Sequence, residues 1–219
     1  PSINLSDPAV SDPVSTPVNN STATIQDTYV LAVTDANGCV NTDTVLVGSY
    51  PVPVINFARP SSQCIIDNNF LLSALANIPA GVNYLWTFTR EASLISSTQS
   101  DVSVVYSLTG TFPVILTADY NGCPAQPFID SITIHEMPTA EFFPLVTEGC
   151  EPLTVPFTNI STGDGNTYNW DFGDGSNDDE VNAVHVFQHA GIYSVSLASV
   201  NRFGCLTDTT YKNIINVFA

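Results

Sequence analysis

Apolar and polar residues alternate in short runs along this chain. Tyr193-Ser-Val-Ser-Leu197, Tyr168-Asn-Trp-Asp-Phe172 and Ser131-Ile-Thr-Ile134 each repeat with a period of two, and Leu153-Thr-Val-Pro-Phe-Thr158 follows suit. Successive side chains of a strand point to opposite faces, so this period predicts strands with one face buried. The runs are short and are separated by clusters such as Asn121-Gly122 and Asp174-Gly175, whose residue types make tight turns. The pattern predicts an all-β chain.

A longer period lies over the short one. Tyr29-Val-Leu-Ala-Val-Thr-Asp-Ala-Asn-Gly-Cys39, the segment Phe112 to Cys123, and the segment Tyr193 to Cys205 share one layout: an aromatic residue, an alternating strand, a polar turn, then Gly-Cys. The cysteines that end them are 84 and 82 residues apart, and Trp86 precedes Trp170 by 84. Gly110-Thr-Phe likewise matches Gly191-Ile-Tyr, 81 residues on. Shared spacing of this kind marks tandem repeats. It divides the chain into 1–49, half of a truncated repeat; 50–138, a diverged repeat; and 139–219, a complete one. About seven short strands in some eighty residues read as a β-sandwich. The joints, Ser49-Tyr-Pro-Val-Pro53 and His135-Glu-Met-Pro138, contain proline and no glycine, so a semi-rigid rod is expected. The first segment has no Trp or earlier Cys before Cys39, which suggests a sequence that begins inside a domain of a longer parent.

Composition narrows the function. Lys and Arg total 4 against 21 Asp and Glu, for a net charge of −17. Such a surface repels phosphate backbones and anionic lipid, which argues against nucleic-acid and membrane-surface binding. With 44% hydrophobic residues the chain is still able to bury a core. No run approaches the roughly 18 apolar residues of a membrane span. The opening PSINLSDP has neither an initiator Met nor a basic-then-apolar leader, so any export signal is expected upstream.

Five cysteines are present: Cys39, Cys64, Cys123, Cys150 and Cys205. The repeat suggests one bridge inside each complete unit, Cys64 with Cys123 and Cys150 with Cys205. Cys39 is then left with a partner upstream. Disulfides imply an oxidising, extracytoplasmic setting. No C-x-x-C or Cys/His grouping points to zinc.

At Asn169-Trp170-Asp171-Phe172-Gly173-Asp174-Gly175-Ser176, followed by Val184-His185-Val186-Phe187 and Gly191-Ile192-Tyr193-Ser194-Val195, the third segment resembles a polycystic-kidney-disease (PKD) domain. The middle segment keeps Trp86 and Gly110-Thr-Phe-Pro-Val but lacks the Gly-Asp-Gly turn. Asp27–Val47 resembles the Ig-like or PKD-like repeats of large Bacteroidetes surface proteins. The resemblance implies tandem Ig-like sandwiches in a cell-surface adhesin, of the gliding-motility type among others, exported by type IX secretion. Its partners would be neighbouring repeats, the secretion and surface-attachment machinery, and surface glycans.

The candidate sites are few. Asp171, Asp174, Asp178, Asp179 and Glu180 crowd five carboxylates into one turn, a possible calcium site because calcium takes hard oxygen ligands. The competing reading is a set of turn-forming Asp residues. Trp170, Phe172 and Trp86 offer either a carbohydrate-stacking platform or, more in keeping with a sandwich, core. His185 and His189 on a strand would stand about 13 Å apart, too far for one metal, and His185 fits a packing role. Asp43-Thr44-Val45, Asp130-Ser131-Ile132 and Asp208-Thr209-Thr210 resemble Bacteroidetes O-glycosylation acceptors at Thr44, Ser131 and Thr209. No nucleophile elbow, phosphate loop or H-E-x-x-H motif is present. No enzymatic activity and no cofactor are expected. The expected function is a non-enzymatic stalk or adhesin segment of an extracellular protein. The alternative is a carbohydrate-binding or spacer module of a secreted hydrolase, and a third reading has the last repeat touching the secretion machinery.

Overall fold

The computed structural model describes residues 5–78 and 80–219, and every regular element among them is a strand. In chain order these are β1 (Ile25–Thr34), β2 (Val40–Ser49), β3 (Ile55–Asn56), β4 (Gln63–Cys64), β5 (Phe70–Ser73), β6 (Leu75–Ala76) and β7 (Asn83–Thr87). There follow β8 (Ser96–Ser97), β9 (Asp101–Val104), β10 (Gly110–Tyr120), β11 (Cys123–Pro124), β12 (Phe128–His135), β13 (Phe142–Pro144) and β14 (Glu148–Cys150). The last six are β15 (Leu153–Asn159), β16 (Thr167–Asp171), β17 (Asn177–Asp178), β18 (Val184–Phe187), β19 (Gly191–Val200) and β20 (Leu206–Phe218). The expected all-β, Ig-like sandwich class is what the chain adopts.

Contacts gather these strands into two compact units. The second unit takes Ser61–Asn69, Val105–Thr111 and Ile132–Ala219. Its C-terminal part packs a three-stranded sheet, β13-β15-β18, against a five-stranded one, β14-β20-β19-β16-β17. The two-residue period decides which side chains meet. On β19, Val195, Leu197 and Ser199 point inward, and on β20 Ile215 and Val217 join them. The facing sheet contributes Phe142, Val155, Phe157 and Phe187, and Trp170 of β16 lies fully buried among them. An indole of this size removes some 150–250 Å² from water, roughly 4–6 kcal/mol of transfer free energy. Its N–H stays satisfied by donating to the Glu180 carbonyl at 2.9 Å.

Two parallel pairs in this unit could not be anticipated from periodicity. β14 runs parallel to the end of β20, with Gly149 beside Val217 and Cys150 beside Phe218. β4 runs parallel to the end of β12 in the same way, with Gln63 beside Ile134 and Cys64 beside His135.

The first unit takes the described residues up to Pro60, with Phe70–Val104 and Phe112–Ser131. β10 pairs with β7 from Ile115–Thr87 to Asp119–Asn83, and β5 pairs with β9. Trp86 is again fully buried, 5.0 Å from Phe57 and stacked 6.2 Å from Phe88. Its N–H donates to the Gln99 carbonyl at 2.9 Å, as that of Trp170 does to Glu180. β1 and β2, ten residues each, form an antiparallel hairpin whose Val30, Leu31, Val33, Val45 and Leu46 are all exposed.

Candidate functional site

The acidic turn between β16 and β18 is organised by its own backbone. Asp171 Oδ1 accepts from the Gly173 N–H at 2.9 Å, Asp174 Oδ1 from the Ser176 N–H at 3.0 Å, and Asp178 Oδ1 from the Glu180 N–H at 3.0 Å. Asp174 also accepts from the Ser176 hydroxyl, while its other oxygen meets His185 Nε2 at 2.8 Å. Burial raises the Asp174 pKa. The hydrogen bonds from Ser176 and His185, and the charge of a protonated imidazole, outweigh that rise and hold the carboxyl below the usual carboxylate range. His185 lies flat on Phe172 at 4.1 Å and edge-on to Phe187 at 4.6 Å, so it packs and hydrogen-bonds at once.

The aspartates of this turn do not all share one face. Directly opposed residues of paired strands share a face. Asp178 stands opposite the buried Trp170, whereas Asp171 stands opposite Asn177 and so faces the other way. Oδ1 of Asp171, Asp174 and Asp178 each accepts from its own turn. Asp179 adds an exposed carboxylate, and no group of three or more acidic, His or Cys side chains among the described residues converges on a metal position. Neither tryptophan is available as a sugar platform, since both are fully buried. His189 lies past the end of β18, and its carbonyl accepts from the Tyr193 hydroxyl.

The cysteine pairing expected from the repeat needs correction. The bridge joins Cys64 to Cys205, with Cα atoms 5.6 Å apart, and Cys39, Cys123 and Cys150 are free thiols. Strand length explains the error. Cys150 sits beside Phe218 at one end of β20, and Cys205 immediately precedes Leu206 at the other. Thirteen residues at about 3.3 Å each separate those ends by roughly 40 Å. In the same way Cys64 lies beside the last residue of β12, near the start of β10, whereas Cys123 follows the far end of β10. An earlier cysteine and a Gly-Cys turn from one repeat are therefore too distant to bond. The bridge instead spans 141 residues and links two successive sequence repeats within the second unit. Around it, His135 stacks on Phe203 at 3.7 Å, and the Asn201 amide donates to the Glu136 carbonyl at 2.9 Å. Asn201 was not singled out from the sequence; its place four residues before the cysteine of Gly-Cys, shared with Asp35 and Asp119, was the available signal.

The three proposed glycan acceptors differ in access. Thr44 is exposed on β2. Ser131 is half-buried and accepts from the Arg59 guanidinium at 3.0 Å, and Thr209 is half-buried opposite Leu197.

Residues 135–215 match the PKD domain family. The matched PKD segment holds Trp170, the Asp174–His185 pair and Cys205, and stops short of the end of β20. Among solved structures, the chain is similar to the PKD1 domain of Vibrio anguillarum Epp, at 28% identity. That similarity covers 37% of this chain and 96% of the other, with a TM-score of 0.32. It is also similar to the fibronectin(III)-like modules of Clostridium thermocellum CbhA, at 12% identity over 75% of this chain and 95% of that one, with a TM-score of 0.37. The N-terminal eight Ig domains of Down Syndrome Cell Adhesion Molecule match 93% of this chain and 32% of theirs at 10% identity, with a TM-score of 0.49. PKD domains are typically non-catalytic modules of a structural or adhesion type.

Proposed function

We propose that this chain is a non-enzymatic stalk segment of a secreted surface protein, built from the repeats 1–49, 50–138 and 139–219, which holds another region away from the cell. The observation that carries the reading is the Cys64–Cys205 bridge, which ties one sequence repeat to the next by a covalent bond. A bond of that kind resists separation in a way that surface hydrogen bonds do not. It also belongs to an oxidising, extracellular setting. On this reading the parent is an adhesin, of gliding-motility type, carried by type IX secretion, with neighbouring repeats and the attachment machinery as partners. Support for those finer points comes from the repeat text of Asp27–Val47. The burial of Trp86 and Trp170 weighs against the sugar-binding alternative.

Pulling the chain from both ends in a single-molecule force experiment tests the stalk. Under oxidising conditions the bridge withholds 141 residues, roughly 480 Å of extension, which a reductant restores. Resistance to unfolding at tens of piconewtons is the expected result. Extension without measurable resistance, or tight binding to a glycan array in its place, would overturn the proposal. Retention of the chain inside cells that lack the type IX machinery checks the export route.

A further inference from the structure

Four residue pairs place a side-chain carbonyl carbon one position before a glycine nitrogen: Asn37-Gly38, Asn121-Gly122, Asp164-Gly165 and Asp174-Gly175. Such a pair can close a five-membered imide ring, because glycine leaves its nitrogen unshielded and the reacting atoms are already neighbours. The two aspartates are held elsewhere, Asp164 by Arg202 and Asp174 by Ser176 and His185. An ionised carboxylate is also a poor electrophile. Both asparagines are exposed, so the cost of freeing each turn separates them.

Asn121 and Gly122, at φ +50° and +84°, form the two-residue turn between the paired Tyr120 and Cys123. The Gly122 N–H donates to Asp119 Oδ1 at 3.1 Å. Beneath the turn, Tyr120 meets Tyr50 edge-on at 6.0 Å, and Ala118 and Ala125 are buried. Opening it uncovers apolar surface. The turn Asp35–Cys39 instead tips the β1–β2 hairpin. There the Gly38 N–H donates to the Asp35 carbonyl at 3.0 Å. Asp35 Oδ1 accepts from the Asn37 and Cys39 N–H groups, each at 2.8 Å. Thr34 and Val40, the pair beneath, are both exposed. Freeing Gly38 costs little beyond these turn bonds, and segments with few buried contacts open most readily.

We infer that Asn37 is a site of spontaneous covalent modification, converted to aspartate and isoaspartate well ahead of Asn121. The Gly38 nitrogen gives up its proton to water and attacks Cγ of Asn37. The Cγ–Nδ2 bond breaks, and Nδ2 takes up a proton and leaves as ammonia. Water then opens the imide. Attack at Cγ yields aspartate, and attack at the main-chain carbonyl carbon yields isoaspartate, whose backbone runs through Cβ and Cγ. Either product places a second carboxylate beside Asp35. Loss of ammonia makes the change one-way, so the modified fraction rises with the age of the chain. Nothing in this step depends on the force-bearing role.

The test incubates the full oxidised chain in mildly alkaline buffer and follows residues 37 and 121 by peptide mass spectrometry, with the two isomeric products separated by chromatography. The intact Cys64–Cys205 peptide confirms folding. Asn37 is expected to convert at least about fivefold faster than Asn121. Asp35→Ala, which removes the two bonds that its side chain accepts, is expected to speed Asn37 several-fold and to leave Asn121 unchanged. With the bridge reduced and the chain unfolded in urea, the two rates should converge and the effect of Asp35→Ala should vanish. Equal rates in the folded chain, conversion led by Asn121, an Asn37 rate indifferent to Asp35→Ala, or a difference that survives unfolding would each overturn the inference.

Discussion

Gly173 has φ +76°, and a Cβ built on it lies 2.3 Å from the Ser194 carbonyl oxygen. Left-handed backbone costs a side chain about 1–2 kcal/mol, and here the obstacle is main chain that cannot swing aside. Gly173→Ala is therefore expected to cost about 2–4 kcal/mol in a denaturant titration. Gly175→Ala, at φ +93° with nothing within 4 Å, should cost about half as much. Between these two glycines, Asp174 has a folded pKa below its unfolded one. Its contribution is complete above the unfolded value, about 3.9, and is lost as pH falls through the folded value. Thermal melts should thus show stability dropping below about pH 4, and Asp174→Asn should flatten that drop while lowering the melting temperature near neutrality. Much at this scale was legible. Trp170 could be assigned to the core as the tryptophan of a sandwich strand, and His185 to packing from its place in the resemblance to a PKD domain. Whether the aspartates share a face was not legible, because it depends on how β16 and β17 pair.

Among the elements, the antiparallel strands follow directly from alternation, as β19 and β20 illustrate. Parallel pairs such as β4 with β12 and β14 with β20 involve only two or three residues each, too few to leave a period. Those pairs fix where Cys64 and Cys150 lie, so the bridge could not be inferred without them, and the symmetry of the repeat pointed to the wrong partners. In the chain-entropy picture, closing a loop of 141 residues destabilises the unfolded chain by about 5 kcal/mol. The double substitution Cys64→Ser with Cys205→Ser is expected to lose about 3–5 kcal/mol in equilibrium unfolding, in line with measured losses of native bridges. Cys150→Ser should stay within about 0.5 kcal/mol of the parent chain, since it removes only an exposed free thiol.

For the molecule as a whole, the net charge of −17 is the dominant long-range term. The visible ion pairs do little against it. Arg59–Asp130 and Arg202–Asp164 lie at the surface, where such pairs contribute about 0–1 kcal/mol. Self-repulsion of like charge destabilises the compact state and is screened by salt. Raising sodium chloride from about 0.02 M to about 0.5 M should lift the melting temperature by a few degrees, as differential scanning calorimetry can check. A melting temperature that falls with salt would mean that attractive pairs prevail. Charge was legible from composition alone, whereas the grouping of Ser61–Asn69 and Val105–Thr111 with the C-terminal residues rests on long-range contacts that no local pattern encodes.

The covalent ring closed by Cys64 and Cys205 also bears on survival outside a cell, where proteases are abundant. Exposed loops are the usual points of attack, and the turns at Asn121-Gly122 and Gly163-Asp164 both fall inside the ring. A single cut anywhere between the two cysteines opens the polypeptide without freeing either piece, because the disulfide still joins them. Whatever the C-terminal residues are fastened to would remain attached to whatever precedes Cys64, and two cuts within the ring would be needed to remove any segment of it.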